Sequence, residues 1–227
     1  DIVMCNATIF FTANASSDLN DNNEHYSNKS CTRTEENTYN ITCSCSFLVW
    51  YYANNGTWHC NMSAWDNGTA NLNGLAAYNS STDTAKINPL YALNVPEVIS
   101  FGEMALNQTS ASKKVNVTNI GNMNLDLNLY GYGSNVEQEN NLSFKCSIGN
   151  ITAGLLRYAI NGTGTSYESM TNLSGQFANP NIVNFNLGQR RSETLNLTNY
   201  TYFRMRVPQY SVKGQCNGTV IFNGVHG

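Results

Sequence analysis

Charge is scarce in this chain. Only 12% of its residues are Asp, Glu, Lys or Arg, and the formal net charge is −3. Nucleic-acid binding needs a basic footprint, which this composition excludes. Histidine is scarcer still. His25, His59 and His226 are scattered and none falls in a ligand-like spacing, so nothing suggests a Ser-His-Asp or Cys-His catalytic arrangement. The few carboxylates form no close pair of the kind that cleaves glycosidic bonds. Asp18–Glu24 alternates oxygen ligands, but it lacks the Gly of a calcium loop, and Lys29 stands where the closing Glu belongs. Cys43 and Cys45 are spaced C-x-C with no paired His following, which is not a zinc pattern. The longest apolar run covers only residues 47–52, far short of the 18 or more that cross a membrane. The sequence therefore predicts no catalytic site, no metal, no cofactor and no membrane span.

Asparagine supplies the polarity that charge does not. There are 37 of them, against 15 Asp and Glu together. Seventeen stand in Asn-X-Ser/Thr acceptors for N-linked glycan: Asn6, Asn14, Asn28, Asn40, Asn55, Asn61, Asn67, Asn79, Asn107, Asn116, Asn141, Asn150, Asn161, Asn172, Asn196, Asn199 and Asn217. Composition alone would give roughly 6 or 7 such acceptors. A sequon acts only in an exported chain, so the excess predicts an extracellular, cell-surface glycoprotein. Asp1 suits a mature start after signal removal.

Strand parity agrees with that. Residues 113–133 read as two half-buried antiparallel strands around a Gly/Asn turn: Val115 and Val117, then Leu125, Leu127 and Leu129, alternate with polar residues. Asn116 falls on the polar face, opposite the valines. Asn6, Asn61, Asn141 and Asn217 are likewise out of phase with their apolar neighbours, as a bulky glycan requires. Asn199 is the exception. It shares parity with Phe203, Met205 and Val207, so it needs a bulge or stays bare.

The chain divides near 88–95, where Asn88-Pro89 and Val95-Pro96 interrupt it. Residues 1–90 form a Cys-rich β domain. Its first strand is expected within 2–12, residues 18–38 as loop, and a long strand over 39–52 leads to a hairpin connection at 53–56. Residues 91–227 carry short strands expected at 97–101, 113–118, 123–130, 142–148, 155–160, 182–187, 193–198, 201–207 and 216–223. With no amphipathic helical stretch between them, these predict antiparallel β-sandwiches. The fold class is all-β, two tandem Ig-like sandwiches stabilised by disulfides.

Seven cysteines in a glycan-type sequence imply an oxidising exterior. Cys146 and Cys216 are the only two beyond residue 90, and both point inward by parity, so they are expected to pair. Cys5, Cys31, Cys43, Cys45 and Cys60 compete, leaving one thiol over. Cys5 is the candidate for a bridge to another chain.

Residues 98–129 and 202–222 carry a Thr118-Asn119-Ile120-Gly121-Asn122 strand pair and a closing Val207-Pro208…Gly214…Gly218-Thr219-Val220-Ile221-Phe222 hairpin. This second half resembles Ig-like β-sandwich modules of archaeal cell-surface proteins, and is similar to TasA/camelysin-type fibre subunits and archaeal bundling pilins. The resemblance implies a homopolymer built by donor-strand complementation, in which one subunit's terminal strand completes the next subunit's sheet. An apolar strand over Ile2, Val3, Met4, Cys5, Ala7, Ile9, Phe10 and Phe11 occupies the donor's position. The expected function is the repeating structural subunit of an extracellular, pilus-like filament, its partner being itself. The alternative is a monomeric cell-surface adhesin or glycan-binding module, with Trp50, Tyr52, His59 and Trp65 forming an aromatic platform for sugar, or else an interface.

Overall fold

The computed structural model describes residues 3–11, 21–37, 40–66, 78–79, 83–133, 141–160, 162, 164–175, 180–195 and 197–227. They are all-β: antiparallel sheets, three disulfides, and one short 3-10 turn at Tyr167–Ser169. Two compact units emerge. The first comprises Asp1–Leu90, Gly121–Met123 and Arg190–Leu195; the second comprises Tyr91–Ile120, Asn124–Gln189 and Asn196–Gly227. The main break falls at Leu90/Tyr91, but two short loops from the later sequence join the first unit.

In unit 1 the strands are β1 (Val3–Phe10), β2 (His25–Asn28), β3 (Thr32–Asn37), β4 (Asn40–Ser44), β5 (Gly56–Asp66), β6 (Tyr78–Asn79) and β7 (Thr84–Ile87). β1 is an interior strand. It pairs with β5 along all eight of its residues and with β2 over Ala7–Phe10. β6 and β7 pair with β5, while β3 and β4 form a separate two-stranded ribbon. The core gathers on Tyr26, Ala53 and Trp58, with Ile9, Phe11 and Phe47 packed against them.

Three expectations fail here: residues 53–56 join no hairpin, since β4 pairs with β3 and β5 with β1. Residues 18–38 are not all loop, since β2 and β3 lie among them. The long strand over 39–52 stops at Ser44, and the chain then dives into the core as a turn. Tyr52 and Ala53 are fully buried there. The Tyr26 hydroxyl accepts from the Trp50 N–H and donates to the Asn22 carbonyl, so the turn's polar backbone has partners without a sheet.

In unit 2 the strands are β8 (Leu93–Asn94), β9 (Lys113–Asn119), β10 (Leu125–Gly133), β11 (Leu142–Ile148), β12 (Asn150–Thr152), β13 (Leu156–Ala159), β14 (Thr171–Asn172), β15 (Asn181–Leu187), β16 (Leu197–Met205) and β17 (Lys213–His226). They form two five-stranded sheets, ordered β12-β11-β17-β10-β15 and β14-β13-β16-β9-β8. The sheets meet sandwich-like: Phe203 of β16 packs edge-on to Phe222 of β17, their ring centroids 5.9 Å apart. Val117, Leu125, Leu127, Leu129 and Phe203 are fully buried, so the expected alternation of β9 and β10 does face a core.

β9 and β10 do not pair with each other, however. They lie in opposite sheets. The buried Asn119 explains the crossing, because its Nδ2 donates to the Leu187 and Gly188 carbonyls at the end of β15. The strands expected at 193–198 and 201–207 are one strand, β16, whose register with β9 runs unbroken from Leu197 to Phe203. Backbone pairing overrides the local polarity of Asn199 and Thr201. Residues 97–101 are not a strand. Pro96 has no N–H to give, and the chain leaves β9 after Asn94.

Candidate functional site

β17 is the longest strand, yet each of its residues has one strand partner at most. Positions 213–217 face β11 and positions 218–226 face β10. Gly133 closes β10 against the start of β11: a Cβ there would lie 3.4 Å from the Lys145 backbone nitrogen. The two strands thus follow one another along β17, and a long backbone edge of β17 has no strand beside it among the described residues. β9 has a shorter free edge, since β8 covers only Thr118 and Asn119.

Where another strand would be expected, residues 95–106 cross instead. Val95, Ile99 and Phe101 turn inward, whereas Val98 is 75% and Leu106 50% exposed. From Val98 to Phe101 that is strand-like alternation without strand bonding, while Glu97, on the inward parity, is exposed. No residue from 95 to 104 makes a hydrogen bond to a described partner. The chain is anchored again only beyond that point, where the Ala105 N–H donates to Gln108 Oε1 and the Asn107 N–H to the Pro208 carbonyl. Gly102, at φ +75°, makes the bend.

Packing beneath this strap is incomplete. A cavity of about 290 Å³ lies under Val95, Ile99 and Phe101, walled by Phe144, Phe203 and Phe222. Phe101 meets Phe144 edge-on at 6.0 Å. A wider trough of about 1050 Å³ continues between residues 98–106 and the first half of β17. An unpaired strand edge, an apolar floor and a loosely held cover make an acceptor for an extended segment.

The expected assembly strand lies elsewhere. Val3–Phe10 is committed to its own sheet between β2 and β5, Phe11 packs in the unit 1 core, and Ile2 lies outside the described residues. Cys5 is bonded to Cys43, which removes it as the candidate for an intermolecular bridge; Cys31 bonds Cys45, and the expected Cys146–Cys216 bond is present. The free thiol is Cys60. Burial first, and Asp83 second, pushes its pKa up.

The expected aromatic platform is not one surface. Tyr52 is fully buried, with half-buried Trp50 stacked on it at 5.7 Å and the Arg190 guanidinium 5.4 Å from its ring. His59 is exposed on β5 and stacks on Phe10. Trp65 is placed by its backbone opposite Met4. Sequence reasoning missed a different cluster, in unit 2. The Arg157 and Arg206 guanidiniums lie 4.5 and 4.3 Å from the Tyr167 ring, and Glu168 pairs with both. These contacts pin the 3-10 turn. Arg206 lies 38 or more positions from the other members, so the cluster leaves no local pattern to find.

The glycan acceptors separate cleanly by burial. Asn107, Asn116, Asn141, Asn150, Asn172, Asn199 and Asn217 are exposed; Asn6, Asn28, Asn55 and Asn61 are half-buried. Asn40 and Asn79 are placed by their backbones on β4 and β6, and Asn14, Asn67, Asn161 and Asn196 lie outside the described residues. Among the described side chains the buried asparagines are Asn23, Asn119 and Asn122, and none of them belongs to a sequon. Among the described residues three acceptor amides are occupied within the fold. Nδ2 of Asn28 donates to the Ser46 carbonyl, that of Asn55 to the Asn122 carbonyl, and that of Asn199 to the Phe185 carbonyl.

His25 is buried and His226 is exposed at the end of β17. Among the described residues no helix is long and apolar enough to cross a membrane. No family model, curated protein or solved structure matches the chain.

Proposed function

We propose that this chain is an extracellular structural glycoprotein, the repeating subunit of a cell-surface filament held together by β-strand donation between Ig-like sandwiches. The observation that carries this reading is the open edge of β17 above a phenylalanine-lined cavity. A long unpaired edge is an aggregation hazard unless something covers it. A strand from a neighbouring copy would complete the sheet and fill the cavity together. Three disulfides suit an oxidising exterior. Among the described side chains no sequon asparagine is buried, which supports a glycosylated surface. No enzymatic role and no cofactor beyond covalent glycan enters this reading.

Electron microscopy of native, secreted material, without denaturant or reductant, tests it. Regular fibres built from this chain are expected. Discrete particles of about 25 kDa plus glycan would refute the filament. Peptide mapping tests the glycan: Asn107, Asn116, Asn141, Asn150, Asn172 and Asn217 are expected to be occupied, and Asn28, Asn55 and Asn199 bare.

The adhesin reading draws on one observation. Leu48 is 83% exposed beside the Trp50–Tyr52 stack and the half-exposed Tyr51. Glycan-array binding that Trp50→Ala abolishes would favour it.

A further inference from the structure

We propose that residues 95–106 are an exchangeable strap, and that the occupant of the groove along β17 in the assembly is the same strap from a second copy of this chain. The inference rests on the strand-donation reading and names its donor. Three observations lead to it. The strap already fits this groove: Val95, Ile99 and Phe101 face the cavity floor of their own subunit, so an identical segment from another subunit finds the same contacts. Exchange of identical elements is a low-cost route to association because little is lost. The strap is also weakly held, having no hydrogen bond from 95 to 104 among the described residues. By contrast, withdrawing β1 would break its pairing to both β2 and β5.

Charge agrees. The strap holds Glu97 and Glu103 and no basic residue, while the two free edges it would meet carry Lys113 and Lys114 on β9 and Lys213 on β17, and no acidic residue. Opposite charge on donor and acceptor edges steers the encounter and fixes its register. The connection of 18 residues, 95–112, holds no named strand, and its β pairing among the described residues is the single Thr109–Arg206 bridge; that is long for a compact domain, and such loops are usually functional. Passed head to tail from copy to copy, the exchange propagates a filament, whereas reciprocal exchange would close a dimer. In its own subunit the strap is tied at Asn94 on β8 and at Ala105 and lies beside β17 without bonding to it; in the exchanged state it would bond that edge in strand register.

The test mixes two variants in a Cys60→Ser background, one carrying Phe101→Cys and the other Phe144→Cys. A short thiol-specific cross-linker is added to the assembled mixture. Exchange predicts a cross-chain product in the mixture and none from either variant alone. No cross-chain product, while a chain carrying both substitutions closes on itself, overturns the proposal. Because the substitutions thin the core, the unsubstituted protein provides a second reading. Amide exchange over residues 213–222 is expected to slow by about tenfold or more between dilute and concentrated protein, and an unchanged rate overturns the proposal. Fibres without cross-chain product would leave the filament and remove the strap as its donor. Cross-chain product without fibres would leave the strap and remove the filament.

Discussion

Replacing Asn122 tests how unit 1 is held. Its side chain is 1% exposed and fully engaged. Nδ2 donates to the Ala53 carbonyl at 2.9 Å and the Asn88 carbonyl at 3.2 Å, and Oδ1 accepts the Leu90 N–H at 2.7 Å. Asn122→Ala removes all three bonds and strands the buried Ala53 carbonyl. At about 1 kcal/mol per bond, and more where a partner stays dry, the loss is about 3 kcal/mol. Asn122→Asp is predicted to be worse at neutral pH. It keeps the bond from Leu90, but it sets a carboxylate against two carbonyl oxygens in a buried site. Burial and the two carbonyls raise that carboxyl's folded pKa above its unfolded one. The Asp variant is therefore least destabilised below the unfolded aspartate pKa, and loses further stability as pH rises toward the folded value. Tryptophan fluorescence isolates the response, because Trp50, Trp58 and Trp65 all belong to unit 1. Urea titration should show a lower midpoint at unchanged slope. An Ala variant within about 0.5 kcal/mol of the parent, a size typical of neutral surface changes, would refute the reasoning. So would an Asp variant that matches it at neutral pH.

Three further outcomes follow from unit 2 and the titratable side chains. Cys146→Ser with Cys216→Ser opens a link spanning 70 residues and should cost about 4 kcal/mol by the chain-entropy estimate, read by far-ultraviolet dichroism with tryptophan fluorescence unchanged. Burial pushes the phenols of Tyr26, Tyr158 and Tyr167 up. Their protonated forms favour the fold, so that stability is present below the ordinary tyrosine pKa and is lost as pH rises through the folded values; a tyrosinate titration should show late ionisation coinciding with unfolding. Cys60, with its thiol pKa raised by burial, should alkylate more slowly than a free cysteine at neutral pH and reach the free rate in urea, whereas equal rates in the folded protein would contradict its placement.

What the sequence makes legible is what depends on alternation. Val115, Val117 and the leucines of β10 face a core as their spacing predicts, and Cys146 finds Cys216 through parity. Pairings set by distant partners stay hidden. Cys43 and Cys45 share a parity yet bond Cys5 and Cys31, because β4 ends between them at Ser44. Residues 97–101 have a strand's composition, but a strand also needs a neighbour, and composition does not record its absence. Asn122 looks like any turn asparagine; its burial comes from the carbonyls of Ala53 and Asn88, remote in sequence. A faint signal did exist. Asn23, Asn119 and Asn122 lack the hydroxyl residue two places on that so many of the others have.

The sheltered asparagines also limit how this gene can drift. His25, Gly121 and Asn124 stand two residues after Asn23, Asn119 and Asn122. Asn124→Ser is a single base change from either asparagine codon, and Gly121→Ser from two of the four glycine codons. In a host that attaches sugar before folding, either would write an acceptor onto an amide that the mature interior has no room to display. At exposed Asn124 such a substitution looks harmless and would still be selected against, for a reason that acts before the native state exists.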